Sequence, residues 1–357
     1  MGMSGIERAL VGLLTLAVIA SAIAWMGKDR LRYRRLIFAT LITTLVLVVL
    51  GAYVRLSDAG LGCPDWPGCY GSLTPHHSVE EIRAAELLQP GGPVSMAKAW
   101  KEMLHRYLAM IVGALIAAIG FSAWRNRRNF SQSPLLAIGL VALVLFQALL
   151  GAWTVTMLLK PAIVTAHLLG GMALLALLTW LHMRQAVVAY QMPPGSIIPS
   201  GLRIFAMIGL LSVFVQIALG GWVSTNYAAL ACEDFPTCNG ALIPAMSFGD
   251  AFHIIRPLGF GPDGQVLTIE ALRAIHWTHR VGALLVSAIL LALALALWRQ
   301  PALKRRAGAL VALLTLQVLL GVANVVWSLP LVIAIAHNGA AALLLAYLVY
   351  INFSLSR

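Results

Sequence analysis

Charge is what this sequence has least of: acidic and basic side chains together make up 11% of its 357 residues, while hydrophobic ones make up 60%. A soluble domain carries about 25% charged and 45–50% apolar residues. At a mean hydropathy of +0.87, the chain lacks the polar surface that a fold in water needs. A soluble globular protein, a secreted disulfide scaffold and a disordered tail are excluded. A polytopic membrane protein, whose apolar surface is solvated by lipid, is what remains. Acids are scarcer than bases, 13 against 25, giving a formal net charge of +12. Basic arms interleaved with exposed aromatics are missing, so that charge does not point to nucleic acid. The apolar runs lack the two-residue alternation of barrel strands and read as helices. The basic cluster near the first run follows it, whereas a cleavable signal carries its bases in front.

What is present is a series of nine apolar runs, near 9–26, 36–54, 103–124, 135–158, 162–183, 204–224, 271–297, 307–327 and 331–353. Each is long enough for ~30 Å of hydrocarbon, which takes roughly 20 helical residues. The segments Lys28–Arg35, Arg125–Arg128, Arg184–Arg203 and Arg299–Arg306 hold bases with Asp29 as their one acid. The loops 55–101 and 225–270 hold ten of the acids and few bases. The positive-inside rule therefore puts the basic segments in the cytoplasm, the two long loops outside and the C-terminus inside.

The chain repeats itself at an offset of about 170 residues. GAYVRLSDAGLGCPDWPGCYGSLTP (51–75) aligns without gaps to GGWVSTNYAALACEDFPTCNGALIP (220–244), and VALVLFQALLGAW (141–153) to VALLTLQVLLGVA (311–323). EMLHR (102–106) likewise matches HWTHR (276–280), and TAHLLGG (165–171) matches IAHNGAA (335–341). The expected fold is all-α: two pseudo-symmetric four-helix transmembrane bundles in a parallel repeat, plus one extra N-terminal helix. The expected segments are 1–35 (extra helix and basic loop), 36–183 (first half), 184–203 (cytoplasmic linker) and 204–353 (second half).

Cys63 and Cys69 lie in the first long loop, Cys232 and Cys238 in the second, each pair spaced C-x5-C around a proline. Their outer placement at equivalent positions favours a disulfide within each loop. Such a disulfide would serve as a structural staple; a redox-active role and metal binding are the alternatives, and no cluster of cations suggests a low-pKa thiol.

Four of nine histidines fall at matching places within the spans: His105 and His167, then His279 and His337. A histidine in hydrocarbon is costly and needs a partner. Two imidazoles facing across a four-helix bundle suit the axial positions of haem iron. Small residues at i+3 and i+4 leave room for a macrocycle: Gly170 and Gly171 after His167, Gly282 and Ala283 after His279, Ala340 and Ala341 after His337. His105 is followed there by Leu108 and Ala109. A structural histidine, another metal and a proton relay are the competing readings. Arg106 and Arg280 directly follow two of the histidines, placed either to meet haem propionates or to snorkel to the interface. Glu102, one turn before His105, has His276 as its counterpart. That asymmetry suggests chemistry in the first half and a resident cofactor in the second, against the plainer reading of a helix N-terminal acid. Gln147, Gln216 and Gln317 share a Q-x-x-L-G pattern that interhelical hydrogen bonds and tight glycine packing would explain. His76, His77, His182 and His253 are given no site.

These residues in this order resemble the haem A synthase family, membrane enzymes that complete haem A for terminal oxidases. The resemblance covers roughly 36–353 and rests on the duplicated halves, the E-x-x-H of Glu102 and His105, the later His167, the H-R and A-H pairs at His279 and His337, and the loop cysteines. It implies haem b held by His279 and His337. It also implies haem O bound through His105 and His167 with Glu102 assisting, and oxidation of the haem O C8 methyl group to a formyl group, giving haem A. It implies as partners a haem O synthase and an electron donor, and as location the inner membrane of a bacterium, with the cysteine loops on its periplasmic side. It lends the first cysteine pair a mechanistic part as well. Many members have eight helices, so the first span is an addition, and His276 is a second candidate ligand beside His279. A di-haem, quinone-linked electron-transfer protein and a thiol–disulfide oxidoreductase are the other functional classes. A transporter is disfavoured because no Gly/Pro-broken helix pair stands at mid-membrane.

Overall fold

The computed structural model describes residues 30–128, 133–190, 199–261 and 263–357, so the run at 9–26 lies outside the described residues. Ten α-helices are present among them. They are α1 (Arg30–Leu56), α2 (Val79–Leu88), α3 (Met96–Arg125), α4 (Leu135–Thr156), α5 (Pro161–Ala189), α6 (Ser200–Thr225), α7 (Phe248–Ala251), α8 (Ile269–Trp298), α9 (Lys304–Val326) and α10 (Leu331–Leu355). All but α2 and α7 are long and apolar enough to cross a membrane, at 22 to 30 residues each. No strand forms among the described residues; the only β geometry there is three isolated bridges. In lipid each helix satisfies its own backbone groups, so these Leu-, Ala- and Val-rich runs need no partner strand. The protein is an all-helical, multi-pass membrane protein.

Two of the helices that begin earlier than hydropathy alone suggests carry side-chain caps. Ser95 caps α3, its hydroxyl accepting from the Lys98 amide at 3.3 Å, and Thr268 caps α8 the same way with Ala271 at 3.3 Å. Glu102 therefore stands two turns inside α3. The competing reading of it as an acid favoured by the helix N-terminus loses support, because that effect fades within the first turn.

The described chain divides into two compact units, each with its own core. One takes the residues up to Leu159 and α5 from Ala173 onward; the other takes Lys160–Met172 and the chain from α6 onward. In the first unit, Tyr33 and Ile37 of α1, Ile116 and Ile119 of α3, Leu140 of α4 and Leu178 of α5 share a dry core. A smaller cluster of Cys63, Cys69, Ile82, Ala99 and Met103 lies under the first long loop. In the second unit α6, α8, α9 and α10 form a closed ring in which each packs on two neighbours, α6 on α8, α8 on α9, α9 on α10 and α10 on α6. Thus α8 faces α10 across the bundle, and α6 faces α9. Trp222, Ala251, Ala271 and Ile275 join that ring to the second long loop.

Candidate functional site

The ring topology decides which side chains meet in the second unit. His279 on α8 and His337 on α10 come from diagonally opposed helices. The other diagonal pair supplies what touches them. A Cβ on Gly220 of α6 would stand 3.1 Å from His279 Cε1, and one on Gly321 of α9 would stand 3.1 Å from His337 Cε1. Each imidazole edge is thus seated on bare backbone, and any side chain at either glycine would push the ring away.

One turn before each glycine stands a glutamine. Gln216 Nε2 donates to the His279 carbonyl oxygen at 2.9 Å and sits 3.0 Å from His279 Nδ1. Gln317 Nε2 lies 3.3 Å from His337 Nε2. The interhelical bonds expected of these glutamines are therefore made to the histidines. Gly282, expected to leave room for a macrocycle, has a different neighbour: a Cβ there would meet Gln216 Oε1 at 2.3 Å. Its missing side chain admits the amide. Within the bundle His337 Nδ1, Gln216 Oε1, Gln317 Oε1 and Asn338 Oδ1 are buried without a hydrogen-bond partner. Apolar surroundings make such atoms costly, roughly 1–3 kcal/mol each, so a polar partner at this place would be stabilising. Among the described residues no group of three or more His, Cys, Asp or Glu could hold a bare metal ion. A haem asks of the protein two opposed imidazoles in an apolar bundle, and that is what the second unit offers.

In the first unit α3 carries the matching set. A Cβ on Gly51 of α1 would stand 3.1 Å from His105 Cε1, repeating the contact of Gly220 with His279. Glu102 is 4% exposed, and both its oxygens are engaged. Oε2 accepts from the Cys63 amide at 2.9 Å, and Oε1 accepts from Arg106 Nη2 at 2.5 Å. Arg106 Nη1 reaches on to the carbonyl oxygens of Asp65, at 2.8 Å, and Gly68. Glu102 and Arg106 therefore fasten the cysteine loop to α3. Arg280 does the same in the second unit, donating to the carbonyl oxygens of Thr237 at 2.7 Å and Cys232 at 3.1 Å, with its Nε 3.2 Å from His276 Nε2. Both guanidiniums, expected at propionates or at the interface, are committed to loop carbonyls. His276 faces Arg280 as Glu102 faces Arg106. His167 lies on the stretch of α5 that packs with the second unit.

The two cysteine loops share one local design. Cys63–Cys69 and Cys232–Cys238 are disulfide-bonded, and all four cysteines are at most 2% exposed. Burial of both bonds favours the staple over exchange with outside thiols. Asp65 accepts from the amides of Tyr70 at 2.6 Å and Gly71 at 2.8 Å. Asp234 accepts from Thr237 Oγ1 and the Asn239 amide, both at 2.5 Å, and from the Gly240 amide at 2.9 Å. These bonds, that from Thr237 foremost, hold the Asp234 carboxyl down at about 2 against an ordinary 3.8. A carboxylate with a depressed pKa lends stability above its unfolded value and loses it as pH falls through the folded one. Pepsin cleavage of the second loop is therefore expected to stay slow as pH drops below 3.8 and to quicken near about 2. Asp234→Asn should make cleavage fast throughout that window. Within the same loop Arg256 is 1% exposed, with its Nη2 on Asn226 Oδ1 at 2.5 Å and its charge disfavoured by burial.

Sequence reasoning found the histidines and missed the glycines that seat them and the aspartates that brace the cysteine loops. Their signal was there: Gly51 with Gly220, and Asp65 with Asp234, are aligned pairs of the repeat, and the Gly321 that seats His337 closes the shared Q-x-x-L-G pattern.

The chain matches the model of the cytochrome oxidase assembly protein family over residues 34–349. It is 44% identical over 321 residues to a haem A synthase of Shewanella oneidensis, covering 88% of this chain and 94% of that one. Haem A synthases of Caulobacter sp. and Chelativorans sp. are each 28% identical to it; the alignments cover 90% of this chain and 96% and 90% of theirs.

Proposed function

The chain belongs to the cytochrome oxidase assembly protein family, and on that premise we propose that it is a haem A synthase that oxidises the C8 methyl group of haem O to a formyl group. The observation that carries this reading is the seating of His279 and His337, on opposed helices of one bundle, each against a glycine of the other helix pair. It supports the reading that a resident haem b would be held in the second unit by these two histidines. His279 is favoured over His276, whose Nε2 is already turned to Arg280. By the repeat, His105 and His167 are the ligands proposed for haem O. The charge pattern supports cysteine loops on the outer side of the membrane; the cytoplasmic membrane of a bacterium as location, and a haem O synthase and an electron donor as partners, are proposed together with the activity.

A bound haem b supplies one-electron chemistry; the protein supplies position and environment. His279 and His337 would hold the group, and Gly220 and Gly321 leave room for their rings against the facing helices. Apolar helix faces keep water out. In the first unit Glu102 and Arg106 hold the Cys63–Cys69 loop against α3, one turn from His105. Expression in a host that makes haem O but no haem A tests the reading. Haem A should appear in its membranes, and its absence, with the protein present and loaded with haem, would refute the activity.

A further inference from the structure

Gln216 is the polar side chain held against His279 on two atoms at once. We propose that Gln216 is a positioning residue for His279, setting the orientation and electron donation of that ligand, and that Gly282 exists to admit it. The proposal rests on the reading of His279 as a haem ligand. Gln216 meets the ring at Nδ1, at 3.0 Å, and leaves Nε2 clear of it. A histidine bound to iron through Nε2 carries its proton on Nδ1 and needs an acceptor there. Gln216 Oε1, buried and without a hydrogen-bond partner, is the acceptor that the same side chain holds in reserve. Turning it to Nδ1 gives up the bond from Nε2 to the His279 carbonyl, at 2.9 Å. The pocket for this amide is carved into α8 itself: a Cβ on Gly282 would lie 2.3 Å from Oε1 and 3.0 Å from Leu219 Cδ1. Gln317 is not equivalent, because it approaches His337 at Nε2. Its amide lies where iron would bind and must swing aside, so the supporting role falls to Gln216 alone.

An acceptor at Nδ1–H gives the imidazole more anionic character and favours ferric over ferrous iron. Gln216→Met, which keeps length and shape, should move the haem midpoint potential to a more positive value while the bis-histidine spectrum persists. Gln216→Glu should move it to a more negative one. Gly282→Ala, which leaves Gln216 in place but expels its amide, should reproduce the Met shift. All three are read by spectroelectrochemistry on the purified protein, with His279→Ala beside them. Unchanged potentials in the Gln216 variants, or haem loss in all three, would overturn the proposal while the ligand reading stood. Retention of the full bis-histidine spectrum in His279→Ala would instead remove the reading beneath it.

Discussion

His279→Ala or His337→Ala should leave purified protein without its low-spin, six-coordinate haem spectrum, the loss being complete rather than graded. On the proposed reading these two imidazoles would hold the group, and alanine supplies no donor atom in place of either. The helices around each histidine leave little slack. A Cβ at Gly220 or Gly321 would crowd the ring at 3.1 Å, so each imidazole fits closely against its facing helix. His276→Ala is the control. Its imidazole is 5% exposed and turned to Arg280 at 3.2 Å, so its loss should slacken the second cysteine loop and leave the spectrum intact. Optical and paramagnetic-resonance spectra of the three variants check this.

Glu102→Ala should lower haem A formation by roughly a hundredfold, the scale on which a displaced catalytic constellation loses rate, and leave the spectrum of the second-unit haem unchanged. The carboxylate is the joint between α3 and the disulfide loop, and its removal leaves the Cys63 amide and one face of Arg106 without an acceptor. Breaking a buried pair by removing one partner costs about 3–5 kcal/mol, less here because Arg106 keeps its loop carbonyls. Glu102→Gln should behave in the same direction, since its single oxygen cannot accept from both donors. A di-haem electron carrier would tolerate these changes. Product assay and difference spectra on one preparation separate the two outcomes, and full haem A formation in Glu102→Ala would refute a role for the loop joint in the reaction.

The spans were legible because hydrocarbon tolerates so little else. Each apolar run from 36–54 onward corresponds to a helix. Where reading fell short, the cause was local. The run at 103–124 was cut short by Lys98, Lys101 and Glu102, yet α3 begins at Met96 because Ser95 caps it. Hydropathy sees the lipid-facing part of a helix, whereas capping sets its end. The helix Val79–Leu88 passed for loop, its charges at Glu80, Glu81, Arg83 and Glu86 masking a ten-residue run. Histidines announced themselves by being costly in lipid. Their glycine seats did not, since a glycine in such a helix is ordinary and only the facing ring gives it meaning. Glu102 could be singled out from its missing counterpart, but its partner, the Cys63 amide 39 residues away, is a fact of folding alone.

Pigment extracted from the purified protein and separated by chromatography tests the central claim most directly. The account predicts haem b together with haem O or haem A from wild-type chain, and loss of the haem b fraction from His279→Ala. Protein that folds and carries no haem, or carries haem b alone in both units, would contradict it.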